Sequence, residues 1–187
     1  MEEQYKIITG FSNYEILNFG NVRNINTGKI LKQSINTSGY KSVNIISDVN
    51  GKFFLKRVHR LVAEMFILNQ NNKKSVDHID NDKANNNVNN LRWVTPQENS
   101  SNRTSNINNS SGFKGVGFEQ NKWRAQITYN KKKLHLGYFD NKIDAIKARI
   151  KKSKELFGEY MNKCENIDIE ELELEELDKE LTRLINS

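Results

Sequence analysis

The sequence is poor in the residues that build several common kinds of protein. Of its 187 residues only one is cysteine, Cys164, and only one is proline, Pro96. A single cysteine excludes an internal disulfide framework and a zinc site made of several cysteines, and it is typical of a reducing compartment. Hydrophobic residues make up 36% of the chain, which argues against one large core and favours small modules in series.

Long apolar runs are also lacking. No stretch approaches the roughly 18 consecutive apolar residues that a transmembrane helix needs. The amino terminus, MEEQYKIITGF, has no basic region followed by an apolar run, so it does not resemble a signal peptide. We therefore expect a soluble intracellular protein that has no membrane partner.

Negative charge is scarce in most of the chain and concentrated at its end. Residues 165–187 hold nine acidic and two basic residues, a net of −7, which leaves +13 on residues 1–164 because the total is +6. A basic body of this size predicts a nucleic-acid partner, since neutralising phosphates supplies most non-specific affinity. The alternative is compositional drift, because an AT-rich genome also yields abundant Lys and Asn.

The first part of the chain alternates short apolar runs with turns. Asn50-Gly51 between two such runs is a strong hairpin signal, and glycines 28 and 39 mark other reversals. Residues 1–57 are therefore predicted to form a small antiparallel β module, with strand-like runs that include ILKQ at 30–33. Residues 58–68 change to helical periodicity, with His59 and Arg60 beside an apolar stripe. A structural or surface role is the ordinary expectation for His59.

The stretch from Val76 to Asn102, VDHIDNDKANNNVNNLRWVTPQENSSN, predicts a strand, an asparagine-rich loop, a second strand and a helix. Thr95 and Glu98 form a capping box at the helix start, with Pro96 at the first helical position. Asn99 then falls in the first turn of the helix.

Three functional groups meet in this stretch. The carboxylate of Asp77 and the carboxamide of Asn99 are a hard oxygen pair suited to Mg²⁺ or Mn²⁺. Histidine titrates near neutrality, so His78 is a candidate general base for phosphodiester hydrolysis. By spacing alone this is a weak signal, because an ordinary buried or surface histidine is the default.

The runs VHRLVAEMFI and VDHIDNDKANNNVNNLRWVTPQENSSN closely resemble the HNH nuclease (ββα-metal) unit of phage and intron-encoded homing endonucleases, over about residues 58–102. The resemblance implies that His78 is the general base, that Asp77 and Asn99 hold one Mg²⁺ or Mn²⁺ ion, and that Asn90 braces the loop. The neighbouring Asn89 makes the assignment of Asn90 depend on its place before Leu91-Arg92-Trp93. The segment from YEILNFGNVRNI to Gly39-Tyr40 resembles the β module that precedes such units.

Residues 112–163 predict three antiparallel strands packed on a helix at 141–157. The runs GFKGVGF, KWRAQI and KKLHLGYFD resemble the plant ethylene-response-factor (Apetala-type) DNA-binding domain, although Gly117, Thr128 and His135 depart from it. The resemblance implies that one face of the sheet lies on DNA. The DNA contacts predicted in this domain are Lys114, Arg124, Gln126, Thr128, Lys133 and His135. Two arginines of the nuclease unit, Arg60 and Arg92, are also predicted DNA contacts.

The predicted organisation is α+β, with a β module at 1–57, an HNH nuclease at 58–103 and a linker at 104–111. The DNA-binding domain at 112–163 and an acidic helical tail at 164–187 follow. The tail either docks on the protein's own surface or serves for dimerisation or DNA mimicry. The resemblance implies a homing-type endonuclease that acts on double-stranded DNA. We further expect a protein in the cytoplasm of a host cell, a monomer rather than a dimer, without a small-molecule cofactor. The alternative is a DNA-binding regulator with an inactive nuclease unit.

Overall fold

The computed structural model describes residues 2–102 and 111–162, together with residues 165 and 170. The chain divides into two compact units, residues 1–99 and residues 100–187. Apart from Ser111 the predicted linker lies outside the described residues, and so does the predicted tail apart from residues 165 and 170. None of the described helices combines the length and the apolarity that crossing a membrane requires.

The first unit contains small antiparallel sheets and a helix that packs against them. The elements are β1 Tyr5–Ile8, β2 Phe11–Leu17, β3 Val22–Asn24, β4 Ser34–Ile35, β5 Lys41–Ile46, β6 Phe53–Arg57, α1 Val58–Phe66, β7 Ser75–His78, a 3₁₀ turn Val88–Asn90, β8 Leu91–Val94 and α2 Pro96–Ser101. One sheet has the strand order β1-β2-β3, a second has β4-β5-β6, and β7 pairs with β8. The last helix of the unit, α2, extends just past its boundary.

One hydrophobic core serves both the predicted β module and the predicted nuclease segment. Ile16 and Ile45 of the sheets lie in the same buried cluster as Val62 of α1 and Leu91 of β8. Strand β6 passes directly into α1, with no connecting loop. Because apolar burial is the main stabilising term, the two segments fold around a shared centre rather than around separate ones.

Two elements differ from their predicted bounds. The predicted strand at 30–33 is only a single bridge between Arg23 and Ile30, because Gln33 turns its amide toward the carbonyl of Gly20 (2.8 Å) and pairing resumes at β4. Helix α1 ends at Phe66 rather than at Leu68. Beyond it, the carboxamide of Asn69 both accepts from the backbone N–H and donates to the carbonyl of Lys73 (2.9 Å each), which closes a turn.

The second unit has the predicted arrangement of three antiparallel strands and one helix. The elements are β9 Val116–Glu119, β10 Lys122–Tyr129, β11 Lys132–Phe139, α3 Lys142–Phe157 and a 3₁₀ turn Gly158–Tyr160. The sheet order is β11-β10-β9, and Ala125 and Ile127 of β10 are buried while Thr128 is exposed. Trp123 packs against the same core as Ile146 and Ile150 of α3.

Candidate active site

Strand β7 carries two adjacent buried polar residues, Asp77 and His78. Their relative exposures are 6% and 5%, low for groups of this polarity. The antiparallel pairing of β7 with β8 places Asp77 opposite Arg92 and His78 opposite Leu91. Neighbours on a strand point to opposite faces, so each side chain meets a different environment.

The carboxylate of Asp77 is held by the guanidinium of Arg92. Both Nε and Nη2 of Arg92 donate to Oδ2 of Asp77 at 3.0 Å, and the two side chains are 16% and 7% exposed. Such a charge-assisted pair fixes the direction of the carboxylate. Arg92 is one of the DNA contacts predicted from the sequence, but in the structure its side chain binds the candidate metal ligand Asp77.

The imidazole of His78 is held by a residue that sequence analysis did not single out. Nε2 of His78 lies 3.1 Å from Oδ1 of Asn86, and both residues are buried. The ring also packs against His59 and Tyr40, with ring centroids 5.2 and 6.0 Å away. The candidate base is thus enclosed by groups from the loop, from α1 and from the β module.

His59 is buried, with 4% of its surface exposed, which agrees with the structural rather than the surface role expected for it. The pKa of His59 is lowered to about 3, chiefly by burial and additionally by the charges of His78, Arg57 and Arg60. Within the described residues, its Nδ1 is buried and has no hydrogen-bond partner. The available signal was Ala63, four residues later on the same helical face, which is also buried and widens the stripe.

Asn90 ties together the two ends of the loop between β7 and β8. Its Nδ2 donates to Oδ1 of Asp80 (2.8 Å) and to the carbonyl of Asn85 (2.9 Å), while its Oδ1 accepts from the backbone N–H of Asp80 (3.1 Å). Partial burial acts to raise the pKa of Asp80, but the hydrogen bonds from Asn85 and Asn90 leave it lowered. Asn89, the competing candidate, is exposed. The loop-bracing geometry therefore belongs to Asn90.

The capping box predicted for α2 is present. Thr95 Oγ1 accepts from the backbone N–H of Glu98 (3.2 Å), and Glu98 Oε2 accepts from that of Thr95 (2.7 Å). Lys73 adds an ion pair to Glu98 at 2.9 Å. Asn99 donates its backbone N–H to the carbonyl of Thr95 (3.0 Å) and is half-buried, which confirms its place in the first turn.

The donor set of this region suits a hard divalent cation. In the described part of the chain, no group of three or more His, Cys, Asp and Glu side chains could hold a metal. A site built from Asp77 and Asn99 uses one carboxylate and one carboxamide oxygen, which fits Mg²⁺ and leaves other positions for water and phosphate. Arg92 supplies the outer contact that a ligating carboxylate usually has.

The predicted DNA contacts of the second unit fall into two groups. On the outer face of its sheet, Gln126 lies opposite His135 and Thr128 opposite Lys133, so these four form a contiguous polar patch. The cations flanking the patch already have partners. Arg124 pairs with Glu119 at 3.0 Å, and Nζ of Lys114 donates to the carbonyls of Ser100 (2.8 Å) and Ser101 (3.0 Å).

Arg60, the remaining predicted DNA contact, lies on α1 in the first unit. It forms a loose ion pair with Glu64 (3.7 Å) and donates to the carbonyl of Lys74 (3.3 Å). Its side chain is 43% exposed, so an exposed pair of this kind adds little stability and leaves the cation accessible to solvent.

Comparison with protein families identifies both segments of the first unit. Residues 56–101 match the HNH endonuclease model, and residues 3–46 match the NUMOD4 motif. The match to the NUMOD4 motif agrees with the predicted β module before the nuclease segment. The resemblance of residues 112–163 to the plant domain stays a prediction.

Individual relatives come from viruses and phages. The chain is 50% identical over 95 residues to an uncharacterized HNH endonuclease of Acanthamoeba polyphaga mimivirus, covering 49% of this chain and 23% of that protein. It is 40% identical over 103 residues to DNA endonuclease I-HmuI of Bacillus phage SP01, covering 54% of this chain and 58% of that protein. It is 31% identical over 87 residues to Protein 3.8 of Escherichia phage T7, covering 46% of this chain and 71% of that protein.

A solved structure described as DNA binding and cleavage by the HNH homing endonuclease I-HmuI is 39% identical, with a TM-score of 0.49 over 53% of this chain and 56% of that chain. The chain spans less than two thirds of the mimivirus and SP01 relatives.

Proposed function

This chain belongs to the HNH endonuclease family, and we propose that it is a homing-type DNA endonuclease that hydrolyses phosphodiester bonds in double-stranded DNA. The observation that carries the proposal is the buried pair Asp77 and His78 on β7, inside the segment that matches the family. Carboxylates and imidazoles of this kind are expensive to bury, which favours a catalytic purpose for the pair.

We propose that His78 accepts the proton of the attacking water. General-base catalysis needs an imidazole held in one orientation, and the contact with Asn86 at 3.1 Å supports this role. A positioned base of this kind typically contributes about 100- to 10,000-fold in rate.

Asp77 and Asn99 would hold one divalent metal ion, with Mg²⁺ or Mn²⁺ as the candidates. An ion held there would supply compensation for the charge of the phosphate oxygens and for the departing oxygen. Arg92 keeps the Asp77 carboxylate oriented, and the cap made by Thr95 and Glu98 fixes the helical turn that carries Asn99. Asn90 holds the intervening loop closed through Asp80.

We further propose that residues 112–163 select the target. The patch of Gln126, His135, Thr128 and Lys133 on the outer sheet face offers side chains that can read base edges or contact phosphates. The excess of positive charge over residues 1–164 supports a DNA partner.

A cleavage-site selection tests the function. The protein is incubated with Mg²⁺ and a library of randomised duplex DNA, and the ends of both strands are sequenced. We expect defined cleavage ends, which disappear when the metal is chelated. His78→Ala should lower the single-turnover rate by about 100-fold or more with the same DNA Kd. Selective binding with no cleavage by the wild-type protein would instead support a regulator with an inactive nuclease unit.

A further inference from the structure

We propose that Asn86 positions the imidazole of His78, and that the N-terminal β module holds Asn86 in place through Gly20. The inference rests on the proposed function, because it assigns these residues a part in placing the general base. It makes the β module a structural component of the nuclease site.

The contact between Asn86 and His78 specifies one form of the imidazole ring. Oδ1 of Asn86 lies 3.1 Å from Nε2 of His78, and the two residues are 4% and 5% exposed. A carboxamide oxygen only accepts hydrogen bonds, so Nε2 of His78 carries the hydrogen. In that tautomer the lone pair is on Nδ1, so the contact with Asn86 sets which ring nitrogen can accept a proton.

The amide nitrogen of Asn86 does not add to the stability of the fold. Within the described residues, its Nδ2 is buried and has no hydrogen-bond partner. A buried donor without a partner is destabilising, and an apolar side chain of similar size would avoid that cost. The contact with His78 is the interaction that requires a carboxamide at this position.

Gly20 lies directly against Asn86. A Cβ atom at Gly20 would approach Cβ of Asn86 to 2.8 Å, its carbonyl oxygen to 3.3 Å and Cγ1 of Val58 to 3.4 Å. Gly20 also has a φ of +91°, a conformation that side-chain-bearing residues rarely adopt. The absence of a side chain thus allows the turn after β2 to pack on the loop that holds the candidate base.

A second contact fixes the same turn to the same loop. The backbone N–H of Val88 donates to the carbonyl of Asn18 at 2.8 Å. Asn18 is itself 1% exposed, and its side chain bonds the backbone of Glu2 (2.9 Å) and Gln4 (3.2 Å). Residues 18–20 belong to the β module and pack against residues 86–88 of the loop.

Cleavage kinetics test the role of Asn86. We expect Asn86→Leu to lower the single-turnover rate at saturating protein at least about tenfold, with an unchanged DNA Kd. Asn86→Asp, which keeps an acceptor oxygen, should recover most of the rate. The matched control is Asn89→Leu, since Asn89 is an exposed asparagine of the same loop. Wild-type rates in Asn86→Leu would overturn the inference.

The tautomer of His78 gives a readout that does not depend on cleavage. The chain has only three histidines, so ¹⁵N-detected spectra of the imidazoles can be assigned with His78→Gln. The wild-type protein should show His78 with its hydrogen on Nε2, and Asn86→Leu should show a mixture. A hydrogen on Nδ1 in the wild-type protein, or an unchanged tautomer in Asn86→Leu, would contradict the positioning role.

A pair of glycine variants tests the role of the β module. Gly20→Ala and Gly10→Ala both place a side chain at positive φ, +91° and +79°, but a Cβ at Gly10 has nothing within 4 Å. Both variants should lower the melting temperature. Only Gly20→Ala should also slow cleavage and show a mixture of His78 tautomers in the ¹⁵N spectra. Equal cleavage by the two variants would remove the β module from the inference.

The two proposals fail differently. A wild-type protein that cleaves no DNA but shows the Nε2–H tautomer, lost in Asn86→Leu, would refute the nuclease function while retaining the contact. If the wild-type protein cleaves DNA and Asn86→Leu cleaves it at the same rate, the positioning role alone would be refuted.

Discussion

His59 makes the stability of the first unit depend on pH. Burial lowers its pKa in the folded protein to about 3, whereas an unfolded chain has an ordinary histidine value near 6.5. Between these values the unfolded state binds the extra proton, so stability is fully present above about pH 6.5 and is lost as the pH falls toward 3. The limiting slope for one proton is about 1.4 kcal/mol per pH unit.

We therefore expect the free energy of unfolding to be lower near pH 5 than near pH 7, and His59→Phe to flatten that dependence. Phenylalanine keeps a buried ring next to Tyr40 and His78 but cannot take up a proton. Denaturant titrations at the two pH values measure the effect. His135→Phe is the control, because His135 is exposed and should leave the slope unchanged. If the free energy of unfolding changed equally with pH in the wild-type protein and in His59→Phe, the prediction would be wrong.

At the residue scale, the candidate catalytic and metal-binding groups come from one short stretch of sequence. Asp77, His78 and Asn99 lie within a single strand-loop-strand-helix segment, and its resemblance to the HNH unit gave them their proposed roles. Asn86 lies in the same segment but is one of many loop asparagines, and nothing local distinguishes it. Gly20 and Tyr40 reach the site only through tertiary packing, and neither spacing nor periodicity records such contacts.

The cap of α2 links a local sequence signal to the geometry of the site. Thr95→Ala removes the hydroxyl that accepts the N–H of Glu98, and we expect it to cost about 1 kcal/mol of stability. Because the same turn carries Asn99, the cleavage rate should fall as well, and higher Mg²⁺ concentrations should partly restore it. Thermal unfolding and Mg²⁺ titrations of cleavage check these outcomes.

Thr37→Ala is a suitable control for the cap, since Thr37 is an exposed threonine in a turn of the β module. It should leave both stability and the Mg²⁺ dependence of cleavage unchanged. A Thr95→Ala protein as active as Thr37→Ala at every Mg²⁺ concentration would separate the cap from the site.

Among the elements, those with strong local signals were predicted and those set by pairing were not. The Asn50-Gly51 hairpin, the amphipathic α1 and the capped α2 all form as expected. The strand predicted at 30–33 did not form, because the position of a weak edge strand depends on its partners. The register shift between Ala125 and Gln126 also has no sequence signature, since a bulge is a property of two strands together.

At the scale of the whole molecule, the proposed division between cutting and target selection follows the two compact units. We expect a truncated protein that ends at Arg103 to retain weak, poorly selective cleavage, because residues 1–99 have their own core and contain Asp77, His78 and Asn99. Random-site selection with the truncated and the full-length protein measures the difference in selectivity.

The full-length Gln126→Ala protein is the companion to the truncation. It should keep the maximal cleavage rate while relaxing preference at one or two base pairs, with each lost base contact worth about 1–3 kcal/mol. If the truncated protein selected the same sites as the full chain, target selection would lie in the first unit instead.

The sequence predicted separate modules at 1–57 and 58–103, but in the structure both segments contribute to one hydrophobic core. A change from alternating to helical periodicity marks residue 58 clearly, and it is a true change of element from β6 to α1. It is not a boundary between cores, because Ile16 and Ile45 pack into the same cluster as Val62 and Leu91. Periodicity reports the faces of single elements, whereas the sharing of a core is decided by what those faces meet.

The close fit of Gly20 on Asn86 limits how such proteins can exchange parts during evolution. A recombination joint at residue 58 would bring together a β module and a nuclease segment that had never packed against each other. Such a chimaera inherits a working cleavage centre only if its donor module also presents a backbone without a side chain at the position of Gly20. A chimaera joined after α2 avoids this requirement, because the β module and the nuclease segment then come from the same parent.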